Sequence, residues 1–193
     1  MQRIKENVTQ REYTILMNFV RGDEKMRENT KLNILRTFTL LYYTGIRVNE
    51  TQELLIKHIK ELLEKGFVKF ETKKTSTERK LYLSSDDFKK DLLKVFDFET
   101  EDDENKVIAK GSNKNKRTGI SPIVFITKVN SIMKEALGSG YTSHSFRQGI
   151  LTEMGSKSVN VKVISKFIGH KDVKTTLRYI NPTDEDILNS LIR

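Results

Sequence analysis

Along most of the chain apolar residues recur every three or four positions, the repeat of one helix face, and after Gly66 the repeat shortens toward two. Thr9 and Glu12, set ahead of Tyr13, Ile15, Leu16 and Phe19, form a capping-box signature and predict a helix over 9–20. A second helix is predicted over 30–43, with Leu32, Leu35, Phe38, Thr39 and Tyr42 on one face and Gly45 as its stop. Asn49 as cap and Gln52 in the third helical position predict a third helix over 50–59, which leaves Arg47 in a tight corner between two helices. Residues 67–70 and 79–83 alternate like strands and form a hairpin across the Lys- and Thr-rich connection 71–78.

The second half returns to helical spacing. Ser84 and Ser85 cap a helix over 86–96, 99–104 is an acidic loop, and Val107 with Ile108 predicts a short strand. Ser121 followed by Pro122 opens a helix that continues to Leu137, before Gly138. Further helices are predicted over 143–154 and 161–168, the latter stopped by Gly169, and Asp172 caps a short polar helix bearing Thr175, Thr176 and Tyr179. Asn181-Pro182 breaks that helix, and 184–192 forms a last amphipathic helix with Ile187, Leu188 and Leu191 as its stripe. The whole reads as one α+β domain over residues 1–193, mainly α-helical, with a small antiparallel sheet on a helical bundle.

Charge sharpens this picture. Lysine plus arginine number 35 against 26 acidic residues, a formal charge of +9, while 36% hydrophobic residues suffice for a core. A basic, foldable domain suits a polyanionic partner, though solvated lysines give the same composition. The same two readings apply to Lys73 and Lys74 on the hairpin and to Lys110, Lys114, Lys116 and Arg117 in the Gly- and Asn-rich loop 110–117, either phosphate contacts or solvated surface. Arg47 is either an anion ligand beside a helix N-terminus or an ordinary surface arginine. The absence of cysteine excludes disulfides and thiolate chemistry. No apolar run approaches the roughly 20 residues of a membrane span, and the N-terminus has no apolar secretory core, so the expectation is a cytoplasmic protein without a membrane partner.

Three segments carry candidate chemistry: LYYTGIRVNE with Arg47 and Glu50, HSFR with His144 and Arg147, and IGHKDVKTTLRY with His170 and Tyr179. In this order and spacing they resemble the tyrosine recombinase, or phage integrase, family, and the resemblance runs from Thr9 through Tyr179. It implies the catalytic-domain fold of that family and site-specific cleavage and rejoining of double-stranded DNA through a 3′-phosphotyrosine on Tyr179. Arg47, supported by Glu50, and Arg147 would hold the non-bridging phosphate oxygens, for which paired guanidinium bonds suit better than a lysine point charge. His170 would add a donor. A tyrosine hydroxyl with a pKa near 10 needs help to lose its proton, and His144 is the candidate. The resemblance also implies a hairpin lysine as the acid for the leaving 5′ oxygen, placed at Lys74 with Lys73 one slip away. It implies neither metal nor other cofactor.

The chain departs from the family pattern at Gln148, where members often have histidine, and at Ser158, where they often have glycine; both are expected to alter packing and not chemistry. No N-terminal clamp domain is apparent ahead of the catalytic region, so DNA binding is expected to be weak and salt-sensitive. Residues 183–193 are expected to pack on a neighbouring protomer, giving dimers and tetramers on DNA. His170 is expected to be fixed by the Gly169 stop, and Tyr179 to stand away from both arginines without DNA. Two alternatives share the fold: a type IB topoisomerase-like nicking and closing enzyme, and a DNA-binding regulator without turnover.

Overall fold

The computed structural model describes residues 6–72, 77–111, 117–170 and 172–177. Helix α1 (Gln10–Gly22) starts at the predicted box: the Glu12 carboxylate accepts from the Thr9 N–H at 3.0 Å and from the Thr9 hydroxyl. Helix α2 (Glu28–Thr44) ends at Gly45, whose left-handed backbone (φ 59°) closes the last turn through a 3.0 Å bond from its N–H to Leu41 O. The predicted apolar stripe of α2 proves too narrow, since every residue from Asn33 to Leu41 is buried. The helix is central, flanked by α1, by α5 (Asp86–Val95) and by α7 (Ser143–Ser156), so it has no solvent face to keep polar.

The helix predicted over 50–59 is two helices, α3 (Val48–Thr51) and α4 (Ile56–Lys65), and the cap is Arg47 instead of Asn49. Chain 105–107 supplies the reason. Leu54 O accepts from Val107 N–H at 2.9 Å and the Ile56 N–H donates to Asn105 O at 2.9 Å, so the break between α3 and α4 has its backbone groups satisfied. This pairing replaces the strand expected at 107–108: it is an isolated bridge between Leu55 and Lys106, and Val107 and Ile108 are buried as a plug in the core.

Strands β1 (Phe67–Thr72) and β2 (Thr77–Tyr82) form the predicted antiparallel hairpin, in a register that places Phe70 opposite Arg79. Its inner face carries Val68, Phe70, Thr72, Arg79 and Leu81, packed toward α4 and the core. Ser85 Oγ caps α5, accepting from the Phe88 N–H at 3.2 Å. Pro122 opens α6 (Pro122–Leu137), where Ser121 makes no capping side-chain bond. Helices α8 (Val161–Ile168) and α9 (Val173–Leu177) complete the described chain. Leu151, Ile164 and Ile168 form a small cluster separate from the main core, so this end of the molecule rests on less apolar packing. The predicted helix over 184–192 lies outside the described residues. No described helix is long and apolar enough to cross a membrane.

Candidate active site

Two glycine stops meet at one corner. A Cβ on Gly45 would stand 2.5 Å from Ile168 Cδ1, so the absent side chain lets the ends of α2 and α8 touch. Arg147, buried on the first turns of α7, crosses this junction: its Nη1 donates to Gly45 O at 2.7 Å and its Nη2 to Ile168 O at 2.6 Å. Charge-assisted bonds to two rigid helix ends fix the guanidinium plane before any ligand arrives.

Arg47 follows the Gly45 corner directly. Its Nη1 donates to Glu50 Oε1 at 2.8 Å, and its backbone N–H donates to Glu50 Oε2 at 3.0 Å. The Arg47 side chain remains 44% exposed while that of Glu50 is 11% exposed, so the carboxylate holds the guanidinium from below and leaves it open to solvent. The pattern predicts this arginine beside the head of a ten-residue helix; α3 has four residues, and the positive field here comes from side chains instead of a helix terminus.

His170 stands immediately after the Gly169 stop. Its N–H donates to Ser165 O at 3.0 Å, and Nδ1 lies 2.8 Å from Oγ1 of the fully buried Thr176 on α9. Burial, followed by the charges of Arg147, Arg47 and Arg79, lowers the imidazole pKa to about 4. It is therefore neutral at pH 7, and can act as a donor through Nε2 when the Thr176 hydroxyl donates to Nδ1. His144 lies one turn before Arg147 on α7, but it is exposed where Arg147 is buried.

Lys110 and Arg117 are exposed, at the two ends of the basic loop, where the Lys110 N–H donates to Thr118 O at 2.8 Å. Tyr179, Lys73, Lys74, Lys114 and Lys116 lie outside the described residues, so the expectation about the position of Tyr179 does too. Tyr13 and Tyr43 are committed to packing: their hydroxyls each donate to Asp91 Oδ2 at 3.0 Å. Burial above all, with the Asp91 carboxylate adding to it, holds both far above the usual phenol range.

The motifs assign no role to two residues of this corner, Arg79 and Thr176. Arg79 is 5% exposed, with Nε 3.4 Å from Glu50 Oε2. Its signal was present in the alternation, since Arg79 shares parity with Leu81 and Leu83 and so falls on the buried face.

Exposed Arg47, buried Arg147 and Arg79, and a neutral histidine around one junction form a candidate site for an anion with several acceptor oxygens. The family model of the phage integrase family matches residues 6–186, and the chain belongs to that family, the tyrosine recombinases. A probable integrase/recombinase of Methanocaldococcus jannaschii is 28% identical over 156 residues, covering 78% of this chain and 46% of that protein. A tyrosine recombinase of Thermosipho africanus is 25% identical over 185 residues, covering 96% of this chain and 60% of that protein. The chain thus spans about half the length of the relatives it matches. The fold is that of the XerH site-specific recombinase, solved on difH substrate as a pre-cleavage complex: TM-score 0.67, 17% identity, 98% of this chain and 54% of that one.

Proposed function

We propose that the protein cleaves and rejoins double-stranded DNA at specific sites through a 3′-phosphotyrosine on Tyr179. Arg47 and Arg147 hold the non-bridging oxygens and His170 donates from Nε2, so charge arriving on the phosphate is met by donors already in place. Tyr179 Oη attacks phosphorus as His144 assists removal of its proton. The bond from phosphorus to the 5′ oxygen breaks, and Lys74 supplies that oxygen's proton. Attack by a 5′-hydroxyl of another strand reverses these steps, restoring the phosphodiester and the tyrosine without an external energy source.

The observation that carries this reading is the bridge of Arg147 between Gly45 O and Ile168 O, which draws three segments distant in sequence to one corner. Exposed Lys110 and Arg117, with Lys114 and Lys116 between them in sequence, and Lys73 on the hairpin are assigned to the DNA backbone. Residues 183–193 are assigned to a neighbouring protomer, coupling cleavage to dimers and tetramers on DNA. Such a substrate places the protein in the cytoplasm with the nucleoid.

The test is trapping on a randomised pool of nicked suicide duplexes at low salt. Wild type is expected to form a denaturant-resistant adduct enriched for one sequence, and Tyr179→Phe none. Folded, DNA-bound wild type without adduct, or equal adduct from Tyr179→Phe, would overturn the reading. Plasmid relaxation without sequence preference would replace it with a topoisomerase-like one.

A further inference from the structure

Arg79 occupies a position that the pattern of its own strand reserves for an apolar side chain. Among the described side chains of β2 the buried ones are Arg79 and Leu81, and Glu78 before Arg79 faces solvent. A guanidinium can be buried at tolerable cost when counter-charge and hydrogen bonds replace water. Here the replacement is incomplete. Nε reaches only 3.4 Å from Glu50 Oε2, and neither Nε nor Nη2 has a hydrogen-bond partner among the described residues. Glu50 is also the carboxylate that holds Arg47, so one negative charge serves two guanidiniums. On its other side Arg79 fills the space beside Gly169, where a Cβ would overlap Nη1. Gly169 is therefore required twice, by its left-handed backbone (φ 71°) and by the guanidinium that takes the place of a side chain.

We propose that Arg79 is a positioning residue for phosphate cleavage: it holds Glu50, and through it Arg47, from one side and seats the Gly169-His170 turn from the other. The proposal rests on the phosphodiester reading above. It explains why a charge sits at a core position without full compensation, since an apolar residue there would pack but would leave Glu50 and the turn unlinked. Lysine cannot substitute, because a single ammonium on a flexible stem cannot meet Glu50 and also fill the plane beside Gly169. The Arg79 charge also reaches His170, where with Arg147 and Arg47 it disfavours the imidazolium.

The experiment compares wild type, Arg79→Met, Arg79→Lys, Gly169→Ala, Arg79→Ala and the Gly169→Ala/Arg79→Ala double variant. Each is measured for single-turnover cleavage of the trapped duplex, affinity for uncleavable duplex, thermal unfolding and the NMR titration of His170. Arg79→Met is expected to unfold no earlier than wild type, because an apolar replacement removes an under-compensated charge. It is expected to bind DNA within a few-fold of wild type yet cleave roughly ten- to a hundredfold more slowly, the scale of a misplaced catalytic group. Arg79→Lys recovers little of that rate. The His170 titration moves upward in Arg79→Met, where one of the three positive charges is gone, and less in Arg79→Lys, which keeps that charge; an equal rise in both would mark lost burial alone. Gly169→Ala is expected to be more harmful with Arg79 in place than in the double variant, where Arg79→Ala has removed the overlapping guanidinium, in unfolding as well as in cleavage.

Wild-type cleavage by Arg79→Met, or slowing only in proportion to lost folded protein, would overturn the proposal. So would an unmoved His170 titration together with additive Gly169 and Arg79 effects. If wild type itself makes no adduct, the phosphodiester reading fails separately, and the titration and the unfolding cycle still decide whether Arg79 sets this corner.

Discussion

Arg36, midway along α2, and Arg79, between Glu50 and Gly169, are both buried, and their surroundings differ in kind. Arg36 donates from Nε to Val95 O at 2.9 Å, from Nη1 to Val107 O at 3.2 Å and from Nη2 to the buried Glu101 carboxylate, with the Phe96 ring 4.3 Å from Cζ. There one guanidinium has one carboxylate and a partner for each nitrogen. At the other place Arg47 and Arg79 share Glu50, and Arg147 adds a third positive charge. The first arrangement is a structural joint balanced in charge, although Glu101 Oε2 has no hydrogen-bond partner among the described residues; the second retains positive charge that an anion can neutralise. Ion pairs alone therefore do not mark a candidate site; the feature that singles out this corner is an imbalance of charge built into rigid helix ends.

The largest expected effect lies at the joint. Arg36→Ala leaves Glu101 buried without its counter-charge and is expected to cost about 3–5 kcal/mol in urea unfolding, while cleavage per folded molecule stays near wild type. Arg47→Ala should show the opposite balance. Its side chain is half-exposed, so unfolding shifts by at most about 1 kcal/mol, while single-turnover cleavage falls by roughly a hundred- to a thousandfold. A matching loss of stability and cleavage in both variants would erase the distinction between joint and site.

Thr176→Val tests a finer part of the same contrast, the one neutral member of the charged corner. Losing the hydroxyl partner of Nδ1 is expected to cost about 0.5–1.5 kcal/mol of cleavage barrier, up to about tenfold in rate, by releasing the His170 tautomer. Titration of His170 in the DNA-free protein should centre near pH 4 instead of 6.5. Because the folded value is the lower one, the stability linked to His170 is complete above about pH 6.5 and is lost as pH falls through 4. A midpoint near 6.5 would mean that neither burial nor the three arginines act on this imidazole. The smallest effect is Ser158→Gly: Ser158 adopts φ 54°, and glycine there is expected to stabilise by up to about 1 kcal/mol, with cleavage unchanged.

That serine also shows what the sequence could and could not convey. Its departure from the family's glycine was visible, but the left-handed backbone that gives the departure its cost appears only in the fold. The capping box at Thr9 and the stops at Gly45 and Gly169 were legible because each is settled by local backbone chemistry. The break between α3 and α4 was not, since its backbone partners come from residues 105 and 107, about fifty positions away. Arg47, Arg147 and His170 were legible through motif and spacing. Arg79 carries no motif: its parity with Leu81 and Leu83 marks a buried position, but only the register against Phe70 and the contact with Glu50 show what it does there.

The most direct measurement is mass spectrometry of the protease-digested adduct trapped on DNA, which identifies the modified residue among the six tyrosines. One modified peptide is expected, with Tyr179 joined to a 3′-phosphate and the opposing DNA end released as a 5′-hydroxyl. A nucleotide on any other tyrosine, a 5′ linkage, or a nick formed without covalent protein would contradict it.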